Sequence, residues 1–398
     1  MTSLALALAF VLAQPSDEAD AGAPDPALET QLEKTLAPSV QTQTTEAPKS
    51  KNSLFLPWYM RLSIGGFARV QAGYTLPLRD DQLVGGNGGF RVADFRLNLD
   101  FRPIDKLTVY TSIELAAPLV APEDPLTGRR IVELRDAYMQ YDVCSGLLIR
   151  AGQFRPSYDA EMLMADGAVA FTSRSVLASG TAPPEGYGPR TPLAPDRQIG
   201  VQVGSRRFGN TFGIKYAVGL FNGAGPNQLF NDNNGLMPVG RVEVDYSEHF
   251  TLGLNASYNV RSEGVRPSRL YTSQINYGAD VEAHHTLSDD HALSAMVVLL
   301  GRSSTFSFAG LPAEAALGVL GQVRYLHEPT GLEGALRLAY YEPGSTQVSD
   351  EVTEFTAMVG WRPFHLPFRV LAQYTNRGED AAVGYPNDNV DVMLHAVW

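Results

Sequence analysis

The feature that most restricts how this chain can fold is the alternation of its connections. From Arg61 onward, segments of roughly ten residues with a period of two are separated in turn by tight joins and by long joins rich in Gly, Pro and Asn. Tight joins fall near Pro103 to Lys106, Asp142 to Gly146, Phe208 to Asn210, Ser247 to His249, Ser288 to Asp290, Glu328 to Gly331 and Phe364 to Leu366. Longer joins lie near 76–90, 118–130, 157–196, 222–236, 262–270, 303–313, 342–350 and 378–387. Seven short and eight long connections predict sixteen strands. A soluble sandwich has no reason to segregate its loops by length. An even strand count with both ends on the short-turn side is the layout of a bacterial outer-membrane barrel. The predicted fold class is therefore all-β, a 16-stranded antiparallel transmembrane barrel with short periplasmic turns, long extracellular loops and both termini periplasmic.

The strands show which face would meet which solvent. In RVADFRLNLDF (91–101), Ala93, Phe95, Leu97, Leu99 and Phe101 alternate with Asp94, Arg96, Asn98 and Asp100. That pattern alone fits a soluble sheet as well as a barrel whose hydrocarbon faces lipid and whose charges face a watery lumen. The connections decide for the barrel. The C-terminal DNVDVMLHAVW places Val390, Val392, Leu394, Ala396 and Trp398 on one face and ends on an aromatic residue, as outer-membrane barrels commonly do. Two segments resist. In IVELRDAYMQY, lipid-facing Val132, Leu134 and Tyr138 bring Asp136 with them, which predicts a bulge or a protein contact. In LSAMVVLL both faces are apolar and register cannot be read.

The ends and the composition narrow the class further. Residues 1–13, MTSLALALAFVLA, hold a short apolar run before small residues and read as a signal peptide, too short to span a bilayer. Residues 14–56, rich in Ala, Pro, Thr and charge, read as a periplasmic disordered or short-helical tail, and 57–398 as the barrel. Leu28, Leu32 and Leu36 sit four apart in the tail, enough for one marginal amphipathic helix. The single cysteine, Cys144, excludes an intrachain disulfide and a multi-cysteine metal site. A net charge of −12 argues against nucleic acid as a partner.

With apolar faces outward, the lumen has the opposite charge balance. Inward bases are Arg69, Arg96, Arg102, Arg135, Arg150, Lys215, Arg241, Arg261, Arg324, Arg337 and Arg369, with Arg61, Arg206, Arg362 and Arg377 beside them. Inward acids are Asp94, Asp100, Glu114, Glu133, Glu243, Asp245, Asp280, Glu282, Glu333, Glu354 and Asp391. Fifteen bases face eleven acids, and rings of Arg or Lys favour anions. The competing account is that these charges pair across strands and only brace the wall. The long join 157–196 is long enough to fold into the lumen and narrow it. Its constriction candidates are Tyr158, Asp159, Glu161, Asp166, Phe171, Arg174 and Arg190; the competing account leaves the loop outside as a lid.

LRDAY at 134–138, GQFRP at 152–156, RQIGVQV at 197–203 and YAVGLFNG at 216–223 resemble, in order, recurring strand motifs of the phosphate-selective porin O and P family. The resemblance covers roughly Gly66 to Trp398. It implies a sixteen-stranded porin, a homotrimer, that passes small anions such as phosphate or polyphosphate through a constriction made by the third loop. Its surroundings would be outer-membrane lipid and lipopolysaccharide. One departure stands out: that family's phosphate sites are rich in lysine, whereas this barrel has two lysines, Lys106 and Lys215. Arginines would have to carry the path.

No cofactor or metal is expected. His284 and His285 face opposite sides of one strand, and LVGGNGG at 83–89 lacks the lysine and helix of a phosphate loop, so nothing suggests an enzyme. The remaining alternative to a porin is a plugged structural or adhesive barrel without significant conductance.

Overall fold

The computed structural model describes residues 61–398 apart from 77–88, 122–123, 145, 181–191, 210, 229, 248, 264–268, 289, 308–310, 346–350, 364–365 and 380–387. The predicted signal peptide and tail, and Arg190, lie outside these residues. Sixteen strands follow one another: β1 Leu62–Leu76, β2 Gly89–Ile104, β3 Leu107–Ala121, β4 Asp124–Cys144, β5 Leu147–Phe154, β6 Gln198–Gly204, β7 Phe212–Phe221 and β8 Met237–Tyr246, then β9 Phe250–Glu263, β10 Leu270–Ser288, β11 His291–Phe306, β12 Glu314–His327, β13 Leu332–Glu342, β14 Val352–Trp361, β15 Phe368–Glu379 and β16 Asp388–Val397. Every strand pairs antiparallel with its successor, and β16 pairs with β1 to close the barrel. Closure leaves no open edge, the one way a sheet can satisfy its backbone in lipid. At the seam Gly66 and Trp398 exchange backbone hydrogen bonds of 3.0 and 3.1 Å.

The period of two becomes an inside and an outside. Along β8 burial alternates residue by residue, with Arg241, Glu243 and Asp245 inward and Val242, Val244 and Tyr246 exposed. Exposed Val70, Phe95, Ile149, Val218, Leu254, Leu338 and Leu394 continue the outward apolar surface on other strands. In RVADFRLNLDF the phase changes at Ala93, because Arg69 pairs with Asp94 and the next residue, Val70, with Val92. That bulge keeps Phe90, Val92 and Phe95 outward on either side of it.

A second bulge explains IVELRDAYMQY. Ser112 pairs with Asp136 and Ile113 with Leu134, so Arg135 is the extra residue. Beyond it the inward set becomes Asp136, Tyr138 and Gln140, while Met139 and Tyr141 are exposed. Asp136 therefore leaves the lipid face, and Tyr138 goes with it, contrary to the outward placement the simple alternation gives.

The connections keep their asymmetry with one exception. Short turns join β2 to β3, β4 to β5 and every second pair after that. The turn Glu328–Thr330 ends at Gly331, whose φ is 65° and where a Cβ would lie 1.8 Å from the Arg362 carbonyl oxygen, so glycine is required. The predicted long join at 118–130 is instead strand: β3 runs to Ala121 and β4 starts at Asp124. Its prolines suggest a break, yet Pro118 pairs with Arg130 in a run of only three pairs, Ala117 to Leu119, with a register irregularity on each side.

Candidate functional site

The described parts of the long join after β5, 155–180 and 192–197, are folded inside the barrel. Asp159 caps the short helix α1 (Ala160–Leu163), its carboxylate accepting from the Met162 N–H at 3.0 Å. A 3-10 turn at Asp166–Ala168 and helix α2 (Val176–Ser179) follow. Tyr158, Met162, Phe171, Val176, Leu177 and Leu193 are buried in one cluster with inward residues of the wall: Met296, Val298 and Leu300 of β11, Leu320 of β12, Tyr341 of β13, Met358 of β14 and Leu371 of β15. This is why LSAMVVLL is apolar on both faces. Val297 and Leu299 face outward, while Met296, Val298 and Leu300 face the loop. Gly318 makes room on β12, since a Cβ there would come within 2.6 Å of Leu177 and 2.7 Å of Leu193.

Buried arginines fasten the loop to this wall. Arg337 donates to the Ser173 carbonyl at 2.8 Å and to Glu354 at 2.7 Å, with its guanidinium carbon 4.5 Å from the Phe171 ring centroid. Arg369 donates to the carbonyls of Val169 and Ala170 at 3.1 and 2.8 Å and pairs with Glu333. Arg324 meets the same Glu333 at 2.7 Å. Arg241 donates to the Tyr158 carbonyl and to both oxygens of Asp280, at 2.6 and 2.7 Å, and to Glu243 at 2.7 Å. With Arg96 of β2, which donates to Asp166 of the loop, five of the eleven arginines and lysines expected along the anion path are thus wall-to-loop or wall-to-wall contacts, between 1% and 8% exposed. The loop residues Tyr158, Asp159, Glu161 and Phe171 are likewise turned to the wall or into the loop; Glu161 accepts from the Ser175 N–H and hydroxyl.

Asp166 and Arg174 lie on the other side of the loop. Around the Asp166 carboxylate stand Arg174 at 2.6 Å, Arg155 at 2.9 Å, Arg197 at 3.5 Å and Arg96, whose Nη1 donates to it. Burial opposes ionisation of Asp166, but Arg155, Arg96, Arg174 and Arg197 overcome it and hold the carboxyl well below the usual range. Arg96 also meets Glu114 at 3.1 Å, Arg197 meets Asp136 through two hydrogen bonds of 3.0 and 3.1 Å, and Arg155 reaches Asp196 at 3.7 Å. Burial lowers the Arg155 pKa to about 10, with Asp166 acting the other way.

The partly exposed lumen wall belongs mainly to β1–β5. Arg69 pairs with Asp94 at 2.5 Å, Arg102 with Asp100 at 3.2 Å and Arg135 with Glu133 at 3.4 Å. Lys215 of β7 reaches Glu243 at 2.7 Å and Asp245 at 3.5 Å. Arg206 and Arg362 sit in turns rather than strands. Arg150 and Arg261 meet no carboxylate among the described residues. Arg155, Arg197, Asp136 and Asp196 were missing from the candidates drawn from strand alternation. Arg155 and Arg197 stand inside GQFRP and RQIGVQV, so the motif was visible while the charge, lying just beyond a strand end, escaped a reading based on alternation.

No family model matches the sequence, and no curated protein does. Solved structures do. The anion-selective porin from Comamonas acidovorans superposes with a TM-score of 0.55 at 12% identity, covering 85% of this chain and 99% of that one. The outer-membrane channel DcaP of Acinetobacter baumannii gives 0.55 at 16%, covering 85% and 97%. OmpT, an outer-membrane protein of Vibrio cholerae in its trimer form, gives 0.54 at 13%, covering 85% and 99%. What this chain shares with these neighbours is the outer-membrane porin barrel, the coarser part of the resemblance to the phosphate-selective family. At such identities it is the architecture that is common: this chain has the fold of the outer-membrane porins, a closed sixteen-stranded antiparallel barrel.

Proposed function

We propose that this protein is a porin of the bacterial outer membrane, through which small hydrophilic solutes diffuse past a constriction made by the loop after β5, with a preference for anions. The observation that carries the reading is the sorting of charge by the loop. It covers Arg241, Arg324, Arg337 and Arg369 of β8–β15 together with Arg96 of β2, and leaves Arg102, Arg135 and Arg150 of β2–β5 and Arg261 of β9 partly exposed. A guanidinium next to water in a confined lumen offers a passing anion a replacement for lost hydration. The anion-selective porin that shares the fold supports the same reading. Phosphate or polyphosphate is one candidate solute; with Lys215 the one lysine on a strand's inward face, arginine would have to do the binding. The outward apolar band would meet membrane lipid, with lipopolysaccharide at the long-loop side, and a homotrimer would follow the assembly of OmpT.

A plugged barrel is the second reading, and the arginine cage favours it. Through Asp166 the loop reaches Arg96 on β2, and through Arg197 it reaches Asp136 on β4, so its contacts extend to both sides of the lumen. Planar-bilayer recording of the purified protein separates the two. A porin gives discrete conductance steps; a plugged barrel gives none in the native protein and acquires them when Asp166→Ala dissolves the cage.

A further inference from the structure

Arg150 is held by an amide oxygen and meets no carboxylate among the described residues. Its Nε and Nη2 both donate to Gln140 Oε1, at 3.1 and 2.7 Å, and its guanidinium carbon lies 4.6 Å from the Tyr138 ring centroid and 5.2 Å from that of Phe154. Gln140 is in turn fixed by donating to Asp142 at 3.0 Å. An amide oxygen orients a guanidinium without neutralising it. The charge therefore remains for a solute, which the ion-paired Arg69, Arg102 and Arg135 cannot offer to the same degree. Beside it the Tyr110 and Tyr138 rings lie 5.2 Å apart at an interplanar angle of 32°, both partly exposed. Register places all of this together: Tyr110 pairs with Tyr138, and Gln140 with Arg150.

We infer that Arg150, Tyr138 and Tyr110 form a selectivity site for organic carboxylates that carry a flat ring, in preference to small inorganic anions. The carboxylate meets the free Nη1 edge of Arg150, and the ring lies against the tyrosines. An inorganic anion could use only the first of these contacts. Ring stacking adds about 1 kcal/mol, equivalent to about a fivefold gain in affinity. The inference rests on the porin reading and names a solute class for it.

The test is block of single-channel chloride current by sodium benzoate, sodium acetate and inorganic phosphate, with the purified protein in a planar bilayer. Benzoate should block at about fivefold lower concentration than acetate or phosphate. Tyr138→Leu and Arg150→Met should each erase that difference, and Tyr138→Phe, which keeps the ring, should preserve it. Equal block by benzoate and acetate in the native protein overturns the inference, as does a difference that survives both Arg150→Met and Tyr138→Leu. If the native protein gives no conductance steps, the porin reading itself fails and takes this site with it. Conductance with normal anion preference but no benzoate discrimination removes the site alone.

Discussion

The two sides of the lumen use the same residue type to opposite ends. On β8–β15, Arg241, Arg324, Arg337 and Arg369 are buried, each with a carboxylate, and three of them donate to carbonyl oxygens of the inward loop. On β2–β5, Arg102, Arg135 and Arg150 also face inward yet stay partly exposed, and the arginine buried there, Arg96, is the one that Asp166 of the loop reaches. Nothing in the strand pattern separates the sets. The difference is the loop, whose apolar side needs a partner and finds it in Met296, Val298, Leu320 and Leu371. A buried arginine paired with acid and carbonyl works as a fastener, and the same arginine beside water works as a field.

The contrast is most easily broken from the covered side. Arg369→Met leaves Glu333 with Arg324 alone and removes the two hydrogen bonds to Val169 and Ala170. Breaking one partner of a buried pair costs about 3–5 kcal/mol. The loop should detach, with unitary conductance rising and protease reaching the segment after Phe154; unchanged conductance and protection would mean that the apolar cluster holds the loop unaided.

Gly318→Leu attacks the same contact by volume. The new side chain meets Leu177 and Leu193, and overpacking of this kind costs about 1–3 kcal/mol. Current noise should rise without a change of selectivity sign, because no charge is altered. A quiet channel would show that α2 does not lie on β12.

A smaller effect comes from pH. Burial, and then Glu161 nearby, pushes the Asp159 carboxyl up to about 7; Asp280 adds to this while the Met162 N–H and Arg241 oppose it. Being raised above its ordinary value, the group binds more protons with the loop docked than with it free. Docking is strongest below the ordinary carboxylate pKa and weakens as pH rises toward and through about 7. Loop-dependent current fluctuation should therefore grow between acid and mildly alkaline solution. Asp159→Asn should flatten that dependence; the same slope in the variant would place its origin elsewhere.

Much of this was legible in the chain. Loop-length alternation predicts sixteen strands, and DNVDVMLHAVW and RVADFRLNLDF from Asp94 onward show their faces, because lipid outside and water inside enforce a period of two. Legibility ends where something interrupts the period. Tyr138 turns inward since Arg135 bulges, and a bulge shows in sequence only as a misplaced Asp136. The ambiguity of LSAMVVLL was itself a signal, for an inward apolar face implies an occupant, and the loop is that occupant. Which inward arginines the loop would cover depends on where it lies, and no periodicity records that.

Whether the lumen conducts and favours anions is tested most directly by the reversal potential across a potassium chloride gradient in a planar bilayer. Anion preference sets the reversal potential with the sign of the chloride equilibrium potential, and Arg102→Glu together with Arg150→Glu should move it toward the potassium value. A native reversal potential on the potassium side, or a purified barrel that never conducts, would contradict the reading of an anion-favouring porin.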